Sequence, residues 1–242
     1  MRKSFNWSQL DRNNLYGLLY TAGRDVVGKK MPVGALQKHI SSYIKTHLPV
    51  RVIRVQNNAK HKLNTVYLGG AYYSELDQQG HNRFIEIVLS YHPKTKSIQM
   101  TDYRWAKLCT LFADTMLHEI IHMRQYRSRN FKDIPGYEST AYYHKQRISQ
   151  QYYGHRDEMG AFAFNIACDM LGRFGSDTRE IKNYLNSRQA KRHKNTCWYD
   201  FLSAFDWDLD HVKVHQMRQK ILKQLEYAAI GRPFKTTTHL TY

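Results

Sequence analysis

Residues 103–127 contain neither glycine nor proline, and their apolar side chains recur at the spacing of a single helix. Thr101 and Asp102 precede this run and are suited to cap its first turn. The main apolar stripe consists of Trp105, Cys109, Phe112, Met116, Ile120 and Met123. A second stripe, formed by Leu117 and Ile121, lies on another side of the same helix. The pattern predicts a long central helix that is buried on more than one side.

The pentapeptide in the middle of this predicted helix has the pattern H-E-x-x-H and reads His118-Glu119-Ile120-Ile121-His122. Histidines at this spacing lie about 40° apart around a helix and one turn apart along it. Their imidazoles can therefore bind one zinc ion, with each nitrogen about 2.0–2.1 Å from the metal. Glu119 projects about 100° away from His118, where it can accept a proton from a water beside the metal. The pattern predicts a zinc site with Glu119 as the general base.

A third protein ligand is needed to complete a catalytic zinc site, and the sequence offers several candidates for it. The longer pattern H-E-x-x-H-x-x-G-x-x-H is absent, because Gln125 and Ser128 occupy its glycine and its last histidine positions. The remaining candidates are His144, His155, Asp157 and Glu158. Geometry favours Glu158, which lies in the first turn of a predicted helix whose Ala161 and Phe162 permit close packing. The alternative is that Glu158 only stabilises its own helix N-terminus.

The remaining elements follow an order that indicates an α+β protein. Helices are predicted at residues 7–22 and 33–46, and strands at residues 50–55, 64–73, 84–91 and 97–101. Further helices are predicted at residues 154–174, at 176–191, and from Asp208 or Asp210 to about residue 230. We expect one domain over residues 1–242, in which residues 1–48 are helical, 49–175 form the sheet and metal-site core, and 176–242 form basic helices and a tail.

The composition is that of a globular protein. Of the 242 residues, 42% are hydrophobic and 24% are charged, and no run of about 20 apolar residues that could span a membrane occurs. The first residues lack the apolar segment of a secretory signal, and the three cysteines form no C-x-x-C pair. We therefore expect a cytoplasmic protein with reduced cysteines and no membrane partner.

The charge of the chain is strongly positive, with 37 Lys and Arg against 20 Asp and Glu and a formal net charge of +17. Such a surface attracts polyanions and acidic proteins. No helix-turn-helix, zinc-finger or stacking-platform motif accompanies the charge. The sequence therefore leaves two interpretations open, a nucleic-acid-associated protein and a surface that only keeps the protein in solution.

The segments H-E-I-I-H and Y-Y-G-H-R-D-E-M-G-A-F-A-F-N are similar to the gluzincin branch of the zincin metallopeptidases, and especially to small metallopeptidase-like proteins of bacteriophages. The resemblance covers about residues 84–174. It implies a zincin-like core with a short, mostly antiparallel sheet, an active-site helix and a glutamate helix. It also implies His118, His122 and Glu158 as zinc ligands and Glu119 as the general base. The chain departs from the thermolysin-like pattern at Phe162, where that pattern has an aspartate that orients a ligand histidine.

These features favour a zinc-dependent metallopeptidase that hydrolyses peptide bonds through a metal-activated water. Its partner is a protein or peptide substrate, in the host cytoplasm if a phage encodes the chain. The candidates for a donor to the oxyanion are Tyr152, Tyr153 and His155. Residues 84–91 are a candidate exposed strand edge that could bind an extended peptide.

Two other classes of function stay open. One is a basic nucleic-acid-associated binding protein, and the other is a phage virion or assembly protein, each with a structural or vestigial zinc site. A second histidine pair, His211 and His215, has no glutamate between its members and lies in a lysine-rich segment. We interpret that segment as a solvated amphipathic helix and not as a metal site.

Overall fold

The computed structural model describes residues 6–7, 10–55, 61–133, 146–194 and 196–229. Helices predominate in these ranges, and five short strands form two small sheets, so the predicted α+β class is confirmed. The chain separates into two compact units, Met1–Met123 and Arg124–Tyr242. The expected single domain over the whole chain stays a prediction.

Two helices near the start of the first unit each bury one face. α1 (Arg12–Thr21) begins at Asp11, whose side chain accepts a hydrogen bond from the Asn14 backbone nitrogen at 2.8 Å. After the short strand β1 (Lys30–Pro32) comes α2 (Val33–His47), which buries Val33, Leu36, Ile40 and Ile44. Both helices confirm the predictions, although α1 begins later than residue 7.

The first unit contains a three-stranded sheet and a two-stranded sheet. β4 (Ile85–Tyr91) pairs in parallel with β2 (Val50–Val55) and antiparallel with β3 (Val66–Tyr72). The short helix α3 (Ser74–Gln78) lies between β3 and β4 in the chain. β1, which the sequence pattern does not predict, pairs antiparallel with β5 (Ser97–Gln99). Among the described strands, the three-stranded sheet thus has one parallel and one antiparallel pairing, and the expected short, mostly antiparallel sheet of a zincin-like core stays a prediction.

β4 lies inside its sheet, so the prediction that residues 84–91 form an exposed edge is wrong. Ile85, Ile87 and Leu89 are at most 1% exposed, and Glu86 is also buried. A strand with a neighbour on each side and covered faces has this apolar character. Among the described strands, β2 and β3 form the edges of this sheet instead.

α4 (Asp102–Ser128) confirms the predicted long buried helix. Thr101 Oγ1 accepts a hydrogen bond from the Arg104 backbone nitrogen at 3.3 Å and caps the first turn. Both predicted apolar stripes are buried, together with His118 and Glu119. The helix is unbroken from Asp102 to Ser128. Its residues up to Met123 belong to the first unit, and those from Arg124 onward belong to the second.

The described part of the second unit is helical. α6 (Arg156–Phe174) forms close to its predicted position and packs along α9 (Val212–Ala229). α5 (Gln146–Gly154) and α8 (Cys197–Ala204) were not predicted, because α5 is mostly polar and α8 is only about two turns long. The helix predicted at residues 176–191 is wrong in its second half. There α7 (Thr178–Leu185) ends, and Ser187 caps a separate 3₁₀ turn (Arg188–Arg192).

Within the described residues the three cysteines form no disulfide, and Cys109 and Cys168 are buried, as the sequence predicts for two of them. Burial raises the pKa of Cys109 to about 12, so this thiol stays protonated at neutral pH. In the part of the chain that the structure describes, no helix is long and apolar enough to cross a membrane.

Candidate metal centre

Helix α4 directs two imidazole rings toward one point. The Nε2 atoms of His118 and His122 are 3.1 Å apart, and the ring centroids are 4.8 Å apart. Two nitrogens on one tetrahedral zinc ion, each about 2.0–2.1 Å from the metal, are separated by about 3.3 Å. The rings therefore already have the spacing of two ligands of one ion, as the H-E-x-x-H pattern predicts.

Glu158, in the first turn of α6, supplies a third ligand atom. One such atom from each of His118, His122 and Glu158 lies within 4.8 Å of the other two. Glu158 is 4% exposed and His118 is 9% exposed, whereas His122 is half-buried. Two imidazoles and a carboxylate suit zinc and several other divalent metals. This group of three, called the metal centre below, can hold a metal ion.

The last turn of α4 holds the first turn of α6 through polar contacts to Asp157. Gln125 Nε2 donates a hydrogen bond to the Asp157 carbonyl oxygen at 2.9 Å. Just beyond α4, the Arg129 guanidinium donates to both carboxylate oxygens of Asp157, at 2.7 and 3.1 Å. Such a bidentate pair fixes orientation as well as distance. Because Glu158 follows Asp157 directly, these contacts also fix the position from which its side chain extends.

Close packing at this point depends on Gly160. A β-carbon at Gly160 would lie 2.8 Å from Gln125 Nε2, which is too close for an undisturbed contact. The small residue that the sequence offers for this approach is Ala161, which is indeed fully buried. Gly160 is the residue whose missing side chain leaves room for Gln125, and glycine inside a helical pattern is a signal of such packing.

The other candidates for the third ligand have different roles or lie outside the described residues. Asp157 is engaged by Arg129, as above. His155 caps α6, because its Nδ1 accepts a hydrogen bond from the Asp157 backbone nitrogen at 3.3 Å. His144 lies outside the described residues. Of the four candidates, the structure brings Glu158 to the two histidines.

Glu119 is 6% exposed and lies directly under strand β3. A β-carbon at Gly70 of this strand would lie 2.6 Å from Glu119 Oε1 and 2.8 Å from both Glu119 Cγ and Thr115 Cγ2. Only a glycine lets the backbone of β3 pass this close to the carboxylate. Gly70 was not among the functional residues predicted from the sequence, although the pair Gly69-Gly70 inside a strand pattern is a sign of a close backbone approach.

Glu86, on β4 of the three-stranded sheet, is another buried carboxylate of the first unit. Tyr73, which follows β3, donates its hydroxyl hydrogen bond to Glu86 Oε1 at 2.9 Å, and Arg51 Nε is 3.8 Å from Glu86 Oε2. Burial raises the pKa of Tyr73, and the hydrogen bond to Glu86 and the charges of Glu86 and Glu119 raise it further, against the opposing effect of Arg51. Tyr73 therefore stays a neutral donor at physiological pH. In the sequence, the acidic residue Glu86 within an otherwise apolar strand pattern is the sign that a buried polar contact, here with Tyr73, is present.

Phe162 occupies the position where the thermolysin-like pattern has an aspartate, and it is part of an aromatic cluster. Its ring centroid is 5.0 Å from that of Tyr153 and 5.9 Å from that of Tyr152. Tyr153 also contacts Phe201 of α8, at 6.1 Å between centroids. Phe162 thus packs α6 against its neighbours in the second unit. The proposed roles of Tyr152, Tyr153 and His155 as oxyanion donors stay predictions.

The second histidine pair does not form a site of this kind. His211 lies before α9, its Nδ1 accepts a hydrogen bond from the Lys213 backbone nitrogen at 3.1 Å, and its ring contacts Phe205. His215 is exposed on α9. The same helix buries Val214, Met217 and Ile221, so the interpretation of an amphipathic helix is confirmed.

Comparisons of the chain with models of known protein families, with curated proteins and with solved structures found no match. The resemblance to gluzincins therefore stays an expectation from short sequence segments. The function has to be inferred from the side chains that the fold brings together.

Proposed function

We propose that this chain is a zinc-dependent metallopeptidase. The observation that carries the proposal is the convergence of His118, His122 and Glu158 around one point, with Glu119 between the two histidines in the chain. Two histidines and one carboxylate leave the fourth position of a tetrahedral metal open, whereas structural zinc sites are closed by four protein ligands. This donor set favours catalysis over a structural role.

Zinc bound at the metal centre would supply Lewis acidity, which lowers the pKa of a water and polarises a carbonyl group. The chain supplies the proton transfer. Glu119 accepts a proton from the attacking water at a carboxylate oxygen and later delivers it to the leaving amine. The burial of Glu119 beneath Gly70 keeps its carboxylate in one position, as a general base in this reaction requires.

The edge of β3 is the proposed binding surface for an extended peptide, in place of residues 84–91. Among the described strands, β3 pairs with β4 alone, so its other edge has backbone donors and acceptors for one more strand. Gly70 of this strand lies over the carboxylate of Glu119. A peptide paired with β3 would therefore pass close to the general base.

The metal content of the purified chain tests the first part of the proposal. We expect about one zinc per chain by plasma mass spectrometry, loss of zinc in His122→Ala and Glu158→Ala, and retention in Glu119→Gln. His215→Ala is the matched control, because it removes an exposed histidine from another helix. A chain that binds no zinc, or Glu158→Ala that keeps all of its zinc, would contradict the assignment.

Cleavage of a peptide library tests the second part. Glu119→Gln should bind zinc normally but lose about 10²- to 10⁴-fold in the rate of hydrolysis, the usual contribution of a general base. An inactive wild-type chain that holds zinc would favour the structural or virion-associated alternatives.

A further inference from the structure

A basic cleft lies in the first unit, formed by β1, β5, the segment before β5 and the first turn of α4. Its volume is about 390 Å³. The cations that line it are Lys30, Lys94, Lys96 and Arg104, and the other lining residues are Asn64, Ser97 and Gln99. No acidic or apolar residue of the described chain contributes to the lining. The cleft therefore presents a concentrated positive charge without an internal counter-charge.

Backbone pairing and hydrogen bonds hold the walls of the cleft in place. Lys30 and Gln99 lie directly opposite each other in the β1–β5 pairing. Arg104 Nη1 donates to the Gln99 carbonyl oxygen at 2.9 Å, which orients the guanidinium. The Asn64 backbone nitrogen donates to Thr95 Oγ1 at 2.9 Å, which ties Asn64 to the segment before β5. These hydrogen bonds order the cleft before a ligand binds, which reduces the entropic cost of binding.

The lining suits phosphate groups and sugars and not nucleobases. Lysine and arginine pair with phosphate oxygens, and Asn, Ser and Gln donate to phosphates or sugar hydroxyls. No described residue that lines the cleft has a ring that could stack on a base. Next to Arg104 in the chain, however, Tyr103 is 76% exposed at the first turn of α4. Single-strand binders combine a basic groove with exposed aromatic rings, and Tyr103 is an exposed ring that adjoins the cleft residue Arg104 in the chain.

We propose that this cleft binds the sugar–phosphate backbone of single-stranded nucleic acid, independent of sequence, with one unpaired base stacked on Tyr103. This activity is separate from the proposed peptidase function and needs no metal. A surface that binds a lipid bilayer combines basic residues with an apolar face, whereas no apolar residue of the described chain lines this cleft.

Fluorescence anisotropy with a labelled single-stranded DNA of mixed sequence tests the proposal, in EDTA and at several salt concentrations. The double variant Lys94→Ala/Lys96→Ala should bind about tenfold more weakly, and the slope of log K against log salt should fall by about 0.7 for each phosphate that is no longer neutralised. Lys38→Ala/Lys45→Ala removes the same charge from exposed positions of α2 and should bind like the wild type. An equal reduction of affinity in both double variants would overturn the cleft as the site.

Variants of Tyr103 distinguish single-strand binding from a general attraction to polyanions. Tyr103→Ala should weaken binding at least fivefold, and Tyr103→Phe, which keeps the ring, should restore it. Duplex DNA of the same sequence should bind more weakly than the single strand. No binding by the wild type, equal affinity for duplex, or binding to vesicles of anionic phospholipid in preference to the oligonucleotide would overturn the proposal. Circular dichroism checks that each variant is folded.

Discussion

Close packing around the candidate site depends on a glycine at two places, one on strand β3 and one on helix α6. The two places differ in the atoms that lie next to the glycine. On the strand side, the backbone at Gly70 lies against Glu119 Cγ and the Thr115 methyl group, which are buried or half-buried. On the helix side, Gly160 lies against the amide nitrogen at the far end of Gln125. The end of a long side chain can move aside, whereas a carbon near a buried backbone cannot. A side chain added at Gly70 is therefore expected to disturb the candidate site more than one added at Gly160.

The largest effect of this difference is expected at Gly70. In Gly70→Ala the new methyl group must displace Glu119. The three atoms nearest to that methyl group, two of Glu119 and one of Thr115, would lie only 2.6–2.8 Å from it. We expect a loss of about 1–3 kcal/mol in the free energy of unfolding, as for other overpacked interiors. Displacement of the general base by about 1 Å should also lower peptidase activity by about 100-fold.

Gly69 provides the matched control for Gly70. It is the neighbouring residue of the same strand, it is exposed, and a β-carbon there would have no atom within 4 Å. Gly69→Ala should leave urea unfolding within about 0.5 kcal/mol of wild type and should keep its activity. Equal behaviour of the two variants would contradict the assignment of Gly70 as the support of Glu119.

A smaller effect is expected at the Arg129–Asp157 pair on the helix side. The two side chains are 20% and 8% exposed, so Arg129→Ala leaves a mostly buried carboxylate without its bidentate partner. We expect a loss of about 2 kcal/mol, less than the 3–5 kcal/mol typical of a fully buried pair. Zinc affinity, measured by competition with a chelator, should fall about tenfold, because Glu158 follows Asp157 in the chain.

Arg12 and Asp114 form a comparable bidentate pair in the first unit and provide the control. Their donor–acceptor distances are 2.6 and 3.1 Å, but both side chains are more than one-fifth exposed. Arg12→Ala should cost about 1 kcal/mol or less and leave zinc affinity unchanged. A larger decrease of zinc affinity in Arg12→Ala than in Arg129→Ala would break the proposed link between Asp157 and the metal centre.

The elements that local periodicity specifies could be predicted from the sequence, and those set by distant pairing could not. The repeat of buried positions along α4 and the apolar run of β4 predict a helix and a strand without reference to the rest of the chain. β1 has only three residues and forms through its pairing with β5, more than sixty residues later. The expectation that β4 is an edge strand is wrong, because strand order is a property of the whole sheet and not of one segment.

The same distinction applies to the candidate site. The spacing of His118 and His122 is local, and the structure places their rings as the pattern predicts. The sequence favours Glu158 among four candidates because of its predicted helix, and the structure brings Glu158 to the histidines. The roles of Gly70 and Arg129 depend on atoms far away in the chain, so no local pattern could assign them.

The smallest expected effect is at Gly160, and it sharpens the comparison with Gly70. Alanine should add about 1 kcal/mol of helix propensity, but its methyl group must push Gln125 Nε2 away and break the hydrogen bond to the Asp157 carbonyl, worth about 1 kcal/mol. The free energy of unfolding should therefore change by less than about 0.5 kcal/mol, while zinc affinity falls a few-fold as the first turn of α6 loosens.

Gly172 lies in the same helix with no atom within 4 Å of a β-carbon, so Gly172→Ala should stabilise by about 0.5–1 kcal/mol and leave zinc binding unchanged. If Gly160→Ala instead stabilises the protein as much as Gly172→Ala and binds zinc like the wild type, the packing of Gly160 against Gln125 does not position Glu158.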